Sequence, residues 1–106
     1  MIPAPITITF KYWDEVVSAL KNICSKNADV FRNVAHATKV FAKKVNGSGF
    51  LVLYRVFYNN QWLKKTGITW IMEVPESEVP EWAKSGVNES EVDVTSRYQR
   101  ELQLTL

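Results

Sequence analysis

The strongest constraint on the fold comes from residues 50–74, FLVLYRVFYNNQWLKKTGITWIMEV, which carry six aromatic and three basic residues. Phe50–Tyr58 is apolar at nearly every position and rich in β-forming side chains, which is typical of a central strand. Asn59-Asn60 predicts a two-residue turn, because asparagine tolerates the positive φ of a type I′ turn. Residues 61–74 then form the second strand. This stretch therefore predicts a β-hairpin around which the chain is organised.

The turn at Asn59-Asn60 fixes a register in which Phe57 lies opposite Trp62, and Arg55 lies opposite Lys64. Like charges directly opposite each other destabilise an antiparallel pair unless an anion compensates them. Rings beside cations are also the composition of a single-strand nucleic-acid platform, in which rings stack on bases and cations meet phosphates. The predicted platform consists of Arg55, Phe57, Trp62, Lys64 and Lys65.

The base of the same hairpin is apolar on both strands, with Leu51 and Leu53 on the first and Ile68, Trp70 and Met72 on the second. Apolar surface of this extent is rarely left in water. We therefore expect it to be covered by the rest of the chain or by another subunit. Gly67 is a candidate β-bulge, beyond which the faces of the second strand exchange.

The residues before the hairpin predict one strand and two helices. Pro5–Phe10 alternates apolar and polar residues, as a half-buried strand does. Trp13–Cys24 has apolar residues at helical spacing, and Cys24 falls on the apolar side, where a small core residue is expected. Ser25–Asp29 breaks this pattern, so a second helix is predicted from Asn27 or Asp29 to about Val45, ending at Gly47.

The outward face of that second predicted helix carries a basic stripe. Arg32, His36, Lys39 and Lys43 are spaced i, i+4, i+7 and i+11, which places them on one side of a helix. Such a stripe is either a solvated surface or a contact for phosphate groups. In the second case Arg32, Lys39 and Lys43 extend the nucleic-acid surface of the hairpin.

The residues after the hairpin predict a short helix and a terminal strand. Pro75–Gly86 is acidic and interrupted by prolines, with room for one short helix around Glu81–Lys84. From Glu91 onward polar and apolar residues alternate, which favours a strand with a break near Ser96–Tyr98. A terminal strand with one apolar face can pair with a second copy, so a homodimer through this strand is expected.

Together these elements predict an α+β fold in a single domain, residues 1–106. The expected architecture is an antiparallel sheet of about four strands with two main helices packed on one face, in the order β-α-α-β-β-short α-β. The apolar runs are too short for a membrane span. The first residues, MIPAPITITF, lack the pattern of a secretory signal, so a cytoplasmic protein without a membrane partner is expected.

Charge is distributed unevenly along the chain. Residues 1–72 contain ten Lys and Arg against three acids, a net charge of +7, whereas residues 73–106 contain three Lys and Arg against eight acids, a net charge of −5. One interpretation is a positive surface for an anionic partner. The other is that the two parts neutralise each other in the fold.

Candidate catalytic groups are few, so the sequence predicts a binding protein and not an enzyme. There is one histidine and one cysteine, and neither belongs to a recognisable nucleophile or acid–base arrangement. No cofactor is expected, and the clustered Glu76, Glu78 and Glu81 are expected to be solvated without binding a metal.

The leading functional hypothesis is a nucleic-acid-binding module, with single-stranded DNA or RNA favoured over duplex. The alternative is a small protein-interaction or homo-oligomeric structural or adaptor protein, of the kind found in viruses and mobile elements. In that case the same aromatic surface is an interface. The two differ in their response to salt, because binding to phosphate weakens steeply as salt rises and an apolar interface does not.

Overall fold

The structure is a computed structural model that describes residues 6–31, 36–58 and 65–104. Its elements are strand β1 (Ile6–Thr9), helix α1 (Trp13–Phe31), strands β2 (His36–Val45), β3 (Gly49–Tyr58) and β4 (Lys65–Pro75), a 3-10 turn (Glu76–Glu78), helix α2 (Glu81–Lys84), strand β5 (Val92–Asp93) and helix α3 (Thr95–Leu102). None of the helices among these residues is long and apolar enough to cross a membrane.

The five strands form one mixed sheet in the spatial order β1-β4-β3-β2-β5. The central three strands are antiparallel, β5 pairs antiparallel with β2, and β1 pairs parallel with β4. The fold is therefore α+β with a largely antiparallel sheet and two main helices, α1 and α3. The predicted fold class is confirmed, while the sheet has one more strand than expected and is not purely antiparallel.

All three helices contribute to a core on one face of the sheet. Val16 and Leu20 of α1 are completely buried there, as are Val52 and Val56 of β3. Tyr98 of α3 belongs to the same core. Alternate residues of the central strands point toward these helices, as strand geometry requires. Cys24 lies in this core as predicted.

The prediction of a second helix is wrong. Helix α1 continues through the expected break to Phe31, and His36–Val45 is strand β2. Apolar residues in this stretch fit helical spacing, but they also alternate, with Val40 and Ala42 buried in the core on one side of the strand. Ten consecutive residues of β2 pair with β3, and these tertiary hydrogen bonds outweigh the local pattern.

The predicted register of the hairpin is also wrong. Strand β3 ends at Tyr58, which pairs with Lys65, so the connection spans residues 59–64 instead of two residues. Arg55 lies opposite Thr69, and Phe57 lies opposite Thr66. The register follows the core, because a shift by one residue would move every buried side chain of the strand to the other face.

The bulge at Gly67 is confirmed. Val56 pairs with Ile68 and Phe57 pairs with Thr66, so the register shifts at this point and Gly67 is the extra residue of β4. An extra residue in one strand exchanges the faces of the residues beyond it. The core-facing pairs of the hairpin therefore lie between this bulge and Pro75.

The predicted terminal strand is wrong beyond its first residues, because β5 has two residues and is followed by α3. Val94, Tyr98 and Leu102 are buried. A spacing of four residues places side chains on one side of a helix, and it also places them on one face of a strand, so the pattern fits both structures. The start of α3 is fixed to β2, since the Val94 amide donates to the Val40 carbonyl at 2.9 Å. The Thr95 hydroxyl accepts from the Val40 amide, also at 2.9 Å. Within the described residues the terminal strand is therefore limited to β5, at the edge of the sheet, and homodimerisation through this strand stays a prediction.

Helix α3 is anchored through an aromatic cluster. The rings of Trp13, Trp82 and Tyr98 meet edge to face, with the centroids of Trp82 and Tyr98 5.2 Å apart. The Tyr98 hydroxyl, on a completely buried side chain, donates to the Ala83 carbonyl at 3.0 Å. This hydrogen bond joins α3 to α2, which lies where the short helix is predicted.

Replacing Tyr98 with Phe is expected to lower the free energy of unfolding by about 1 kcal/mol, because the Ala83 carbonyl loses its buried donor. Tyr98→Ala removes the ring as well and is expected to cost about 3–5 kcal/mol. Urea denaturation followed by far-UV circular dichroism measures both. Tyr12→Phe is the matched control, since Tyr12 is 60% exposed; a Tyr98→Phe variant as stable as that control would contradict the anchoring role.

Candidate functional site

The face of the sheet opposite the helices is the candidate site. We call it the open face and define it by Lys39, Phe41, Lys43 and Val45 of β2, Leu51, Leu53 and Arg55 of β3, and Ile71 and Glu73 of β4, with Glu91 and Asp93 at its border. Within the described part of the chain, none of these residues belongs to the core cluster that packs against the helices.

The centre of the open face is apolar. Leu53 pairs with Phe41 on one side and Ile71 on the other, which forms a row of three apolar side chains across β2, β3 and β4. Leu53 is only 4% exposed although it lies outside the helix-facing core, so its neighbours on the same face shield it. Apolar surface on the second face of a central sheet is typical of a contact surface.

Charged residues flank this row. In the next row Leu51 lies between Lys43 of β2 and Glu73 of β4, and all three side chains are half-buried. On the other side of the apolar row, Arg55 lies opposite Lys39. Like charges adjacent across two strands need a compensating anion.

Acids from the end of the chain provide that compensation. The Arg55 guanidinium donates to both carboxylate oxygens of Glu91, one contact being 2.8 Å, and lies 5.1 Å from the centre of the Phe41 ring. The Lys39 ammonium lies 3.3 Å from a carboxylate oxygen of Asp93. A bidentate pair with arginine is the strongest ion-pair geometry that side chains form.

A third ion pair joins the Lys44 ammonium to a carboxylate oxygen of Glu76 at 3.1 Å. All three connect a cation from residues 1–72 with an acid from residues 73–106. Of the two interpretations of the uneven charge, this pairing supports neutralisation within the fold.

The carboxyl group of Asp93 is held ionised by its neighbours. A hydrogen bond from the Thr95 hydroxyl is the largest cause that lowers the pKa of Asp93 below its ordinary value, and partial burial opposes it. The Thr95 amide, which donates to Asp93 at 3.0 Å, and the Lys39 ammonium lower the pKa further. Asp93 therefore remains an anion at neutral pH, between β2 and the start of α3.

The structure brings together three of the predicted nucleic-acid-binding residues, Lys39, Lys43 and Arg55, on the open face. Phe57 and Lys65 lie in β3 and β4, opposite Thr66 and Tyr58 respectively. Three others, namely Arg32, Trp62 and Lys64, fall outside the described residues, as does the turn at Asn59-Asn60. The continuous helical stripe is not formed, because Lys39, Lys43 and His36 lie in a strand.

The prediction of site residues missed Phe41, Ile71 and Glu73. The signal for part of this surface was present in the sequence, because the apolar base at Leu51 and Leu53 was expected to need a cover. Phe41 falls within the second predicted helix, which is a strand in the structure, so its place in the sheet could not be predicted.

The described residues offer little for chemistry. They include no group of three His, Cys, Asp or Glu side chains able to hold a metal ion. Burial raises the pKa of the Cys24 thiol, with a hydrogen bond to Tyr54 acting in the opposite direction, so the thiol is protonated near neutral pH and weakly nucleophilic. A groove of about 450 Å³ at Thr9, Gly49 and Glu73 has mostly apolar walls.

Comparison with known proteins yields no match to a family model, a curated protein or a solved structure.

The stability that Asp93 provides is expected to depend on pH. Its folded-state pKa is lower than its unfolded-state pKa, so its contribution is fully present above the unfolded value and is lost as pH falls through the folded value. Asp93→Asn should therefore destabilise the protein at pH 7, and the difference from wild type should shrink below about pH 4.

Urea denaturation of wild type and Asp93→Asn across this pH range measures the effect. Since the Asp93 side chain is 46% exposed, we expect a difference of less than about 1 kcal/mol at pH 7. Glu89→Gln is the control, because Glu89 is exposed. A difference between wild type and Asp93→Asn that is constant from neutral to acidic pH would contradict the assigned role of the carboxylate.

Proposed function

We propose that this protein is a self-associating protein-interaction module whose working surface is the open face of its sheet. The observation that carries the proposal is the apolar row of Phe41, Leu53 and Ile71 on the face that the helices leave uncovered. A sheet with two apolar faces needs a layer on each. The described part of this chain provides helices for one face only.

The charge of the open face supports a protein partner over a polyanion. The face and its border carry three cations (Lys39, Lys43 and Arg55) and three carboxylates (Glu73, Glu91 and Asp93). Two of the cations are already paired with two of the carboxylates. A neutral, apolar surface with charges of both signs is suited to another protein surface, because affinity for nucleic acid comes mainly from neutralising phosphates.

Self-association is favoured over binding to a different protein because the open face is complementary to itself. It carries apolar side chains that can pack against each other, and charges of both signs that can pair. Apolar side chains lie at its centre. A cation and a carboxylate that form no ion pair with any described residue, Lys43 and Glu73, lie on opposite sides of β3. A two-fold interface uses the same patch on both subunits, so it requires a patch that is complementary to itself.

Single-stranded nucleic acid is the second candidate ligand. The observation in its favour is that Lys39, Lys43 and Arg55 share one face of two neighbouring strands. A phosphate at Arg55 would have to displace Glu91, and a phosphate at Lys39 would have to displace Asp93. This function would also depend on Phe57, Trp62, Lys64, Lys65 and Arg32 providing rings and further cations.

The double substitution Leu51→Thr/Ile71→Thr is expected to weaken self-association at least about tenfold, because two apolar side chains no longer contribute to the interface. Threonine is β-branched, which strands favour, so both substitutions maintain strand propensity. Sedimentation velocity from about 1 μM to about 1 mM protein measures the association. Tyr12→Thr is the matched control, since it removes an exposed aromatic residue outside the open face.

A wild-type protein that stays monomeric over this range would overturn self-association. So would equal association of the double variant and wild type, provided that both melt cooperatively.

Titrating the tryptophan fluorescence with single-stranded oligonucleotides at about 50 mM and about 200 mM salt tests the second candidate. Quenching that is lost steeply at the higher salt would support nucleic-acid binding in its place.

A further inference from the structure

We infer that two copies of this chain pack with their open faces together, about a two-fold axis parallel to β3, so that Lys43 of each copy meets Glu73 of the other. This inference rests on the proposed function, self-association through the open face. It adds the relative orientation of the copies and the two residues that determine it.

Lys43 and Glu73 occupy equivalent places on the two sides of the central strand. Leu51 of β3 pairs with Lys43 in β2 and with Glu73 in β4, so the three residues form one row across the sheet. Neighbouring strands are about 4.8 Å apart, which places the ammonium-bearing and carboxylate-bearing residues at equal distances from β3. Both side chains are half-buried, and within the described residues neither makes an ion pair.

A two-fold axis parallel to β3, midway between two facing sheets, exchanges the β2 side with the β4 side. Positions along the strands are preserved, so Lys43 comes to lie over Glu73 of the other copy, and this contact occurs twice. Leu51 and Leu53 then each face the same residue of the other copy across the axis. Aligned sheets pack about 10 Å apart with a rotation of about 30°, which displaces strands next to the axis by only about 2 Å, within the reach of a lysine side chain.

The alternative two-fold axis, perpendicular to the strands, brings like charges together. If it passes over the row of Leu51, Lys43 faces Lys43 and Glu73 faces Glu73. If it passes over the row of Leu53, Lys43 of one copy faces Lys39 of the other. Juxtaposed like charges are strongly unfavourable at an interface, so the charges select the axis parallel to β3.

The same geometry predicts a specific pattern for charge reversal. In Lys43→Glu, each introduced carboxylate faces Glu73 of the other copy, and in Glu73→Lys each introduced ammonium faces Lys43. Each variant alone is expected to associate at least about tenfold more weakly than wild type. An equimolar mixture of the two variants should form a heterodimer with wild-type affinity, because both contacts across the axis then join opposite charges.

Sedimentation velocity of each variant alone, of their mixture and of the double variant Lys43→Glu/Glu73→Lys measures this pattern. The double variant is expected to regain the wild-type dissociation constant. Lys21→Glu and Glu89→Lys make the same charge changes at exposed positions outside the open face and should associate as wild type does. Circular dichroism and thermal melting of every variant confirm that each is folded before its association is compared.

The possible results separate the inference from the proposed function. If wild type dimerises and Leu51→Thr/Ile71→Thr weakens the dimer, but the mixed charge variants do not recover affinity, the orientation is wrong and the interface stands. Association of Lys43→Glu alone that is at least as tight as that of wild type would indicate the perpendicular axis and would also overturn the inference. A monomeric wild type would overturn both.

Discussion

The structure depends on one constraint, which is that its three central strands are apolar on both faces while its helices form a single layer. Strand β3 places Val52, Tyr54 and Val56 on the helix side and Leu51 and Leu53 on the other. The helices bury the first set completely or nearly so. The hairpin register, the position of α3 and the composition of the open face all follow from how this strand is surrounded.

The elements predicted correctly are those whose residue pattern fits only one period or carries a specific local signal. Pro5–Phe10 alternates, Trp13–Cys24 has helical spacing, and Gly67 marks a bulge where the register shifts. The incorrect predictions fall where the apolar positions fit two periods. Residues 36–45 and 94–102 could be helix or strand by pattern, and partners outside each segment determine which one forms.

Those partners are identifiable in the structure. For residues 36–45 the partner is β3, which pairs with every residue of β2. For α3 it is the backbone of Val40, bonded to Val94 and Thr95, together with the buried site of Tyr98 beside Ala83. The contacts of α3 leave no local signal, because Thr95 and Val40 are more than fifty positions apart and Tyr98 and Ala83 are fifteen apart.

The candidate site could be predicted in part. The sequence analysis includes all three cations of the open face and its two leucines, but it places Lys39 and Lys43 on a helix, whereas they lie in strand β2. The neutralisation of Arg55 and Lys39 could be anticipated only as one of two interpretations, because it requires β5 to lie beside β2. Once that pairing is known, Glu91 and Asp93 necessarily fall near the cations of the open face.

This neutralisation also changes what the remaining charges can do. With Arg55 and Lys39 paired inside the chain, Lys43 and Glu73 are the charges on the open face that the described residues leave without an ion partner. An isolated pair at the edge of an apolar patch contributes little net affinity, since desolvation offsets much of the attraction. Its effect on orientation is larger, because the wrong alignment brings like charges together. In such an interface the apolar rows provide the association, and the single pair of charges determines which way round the copies meet.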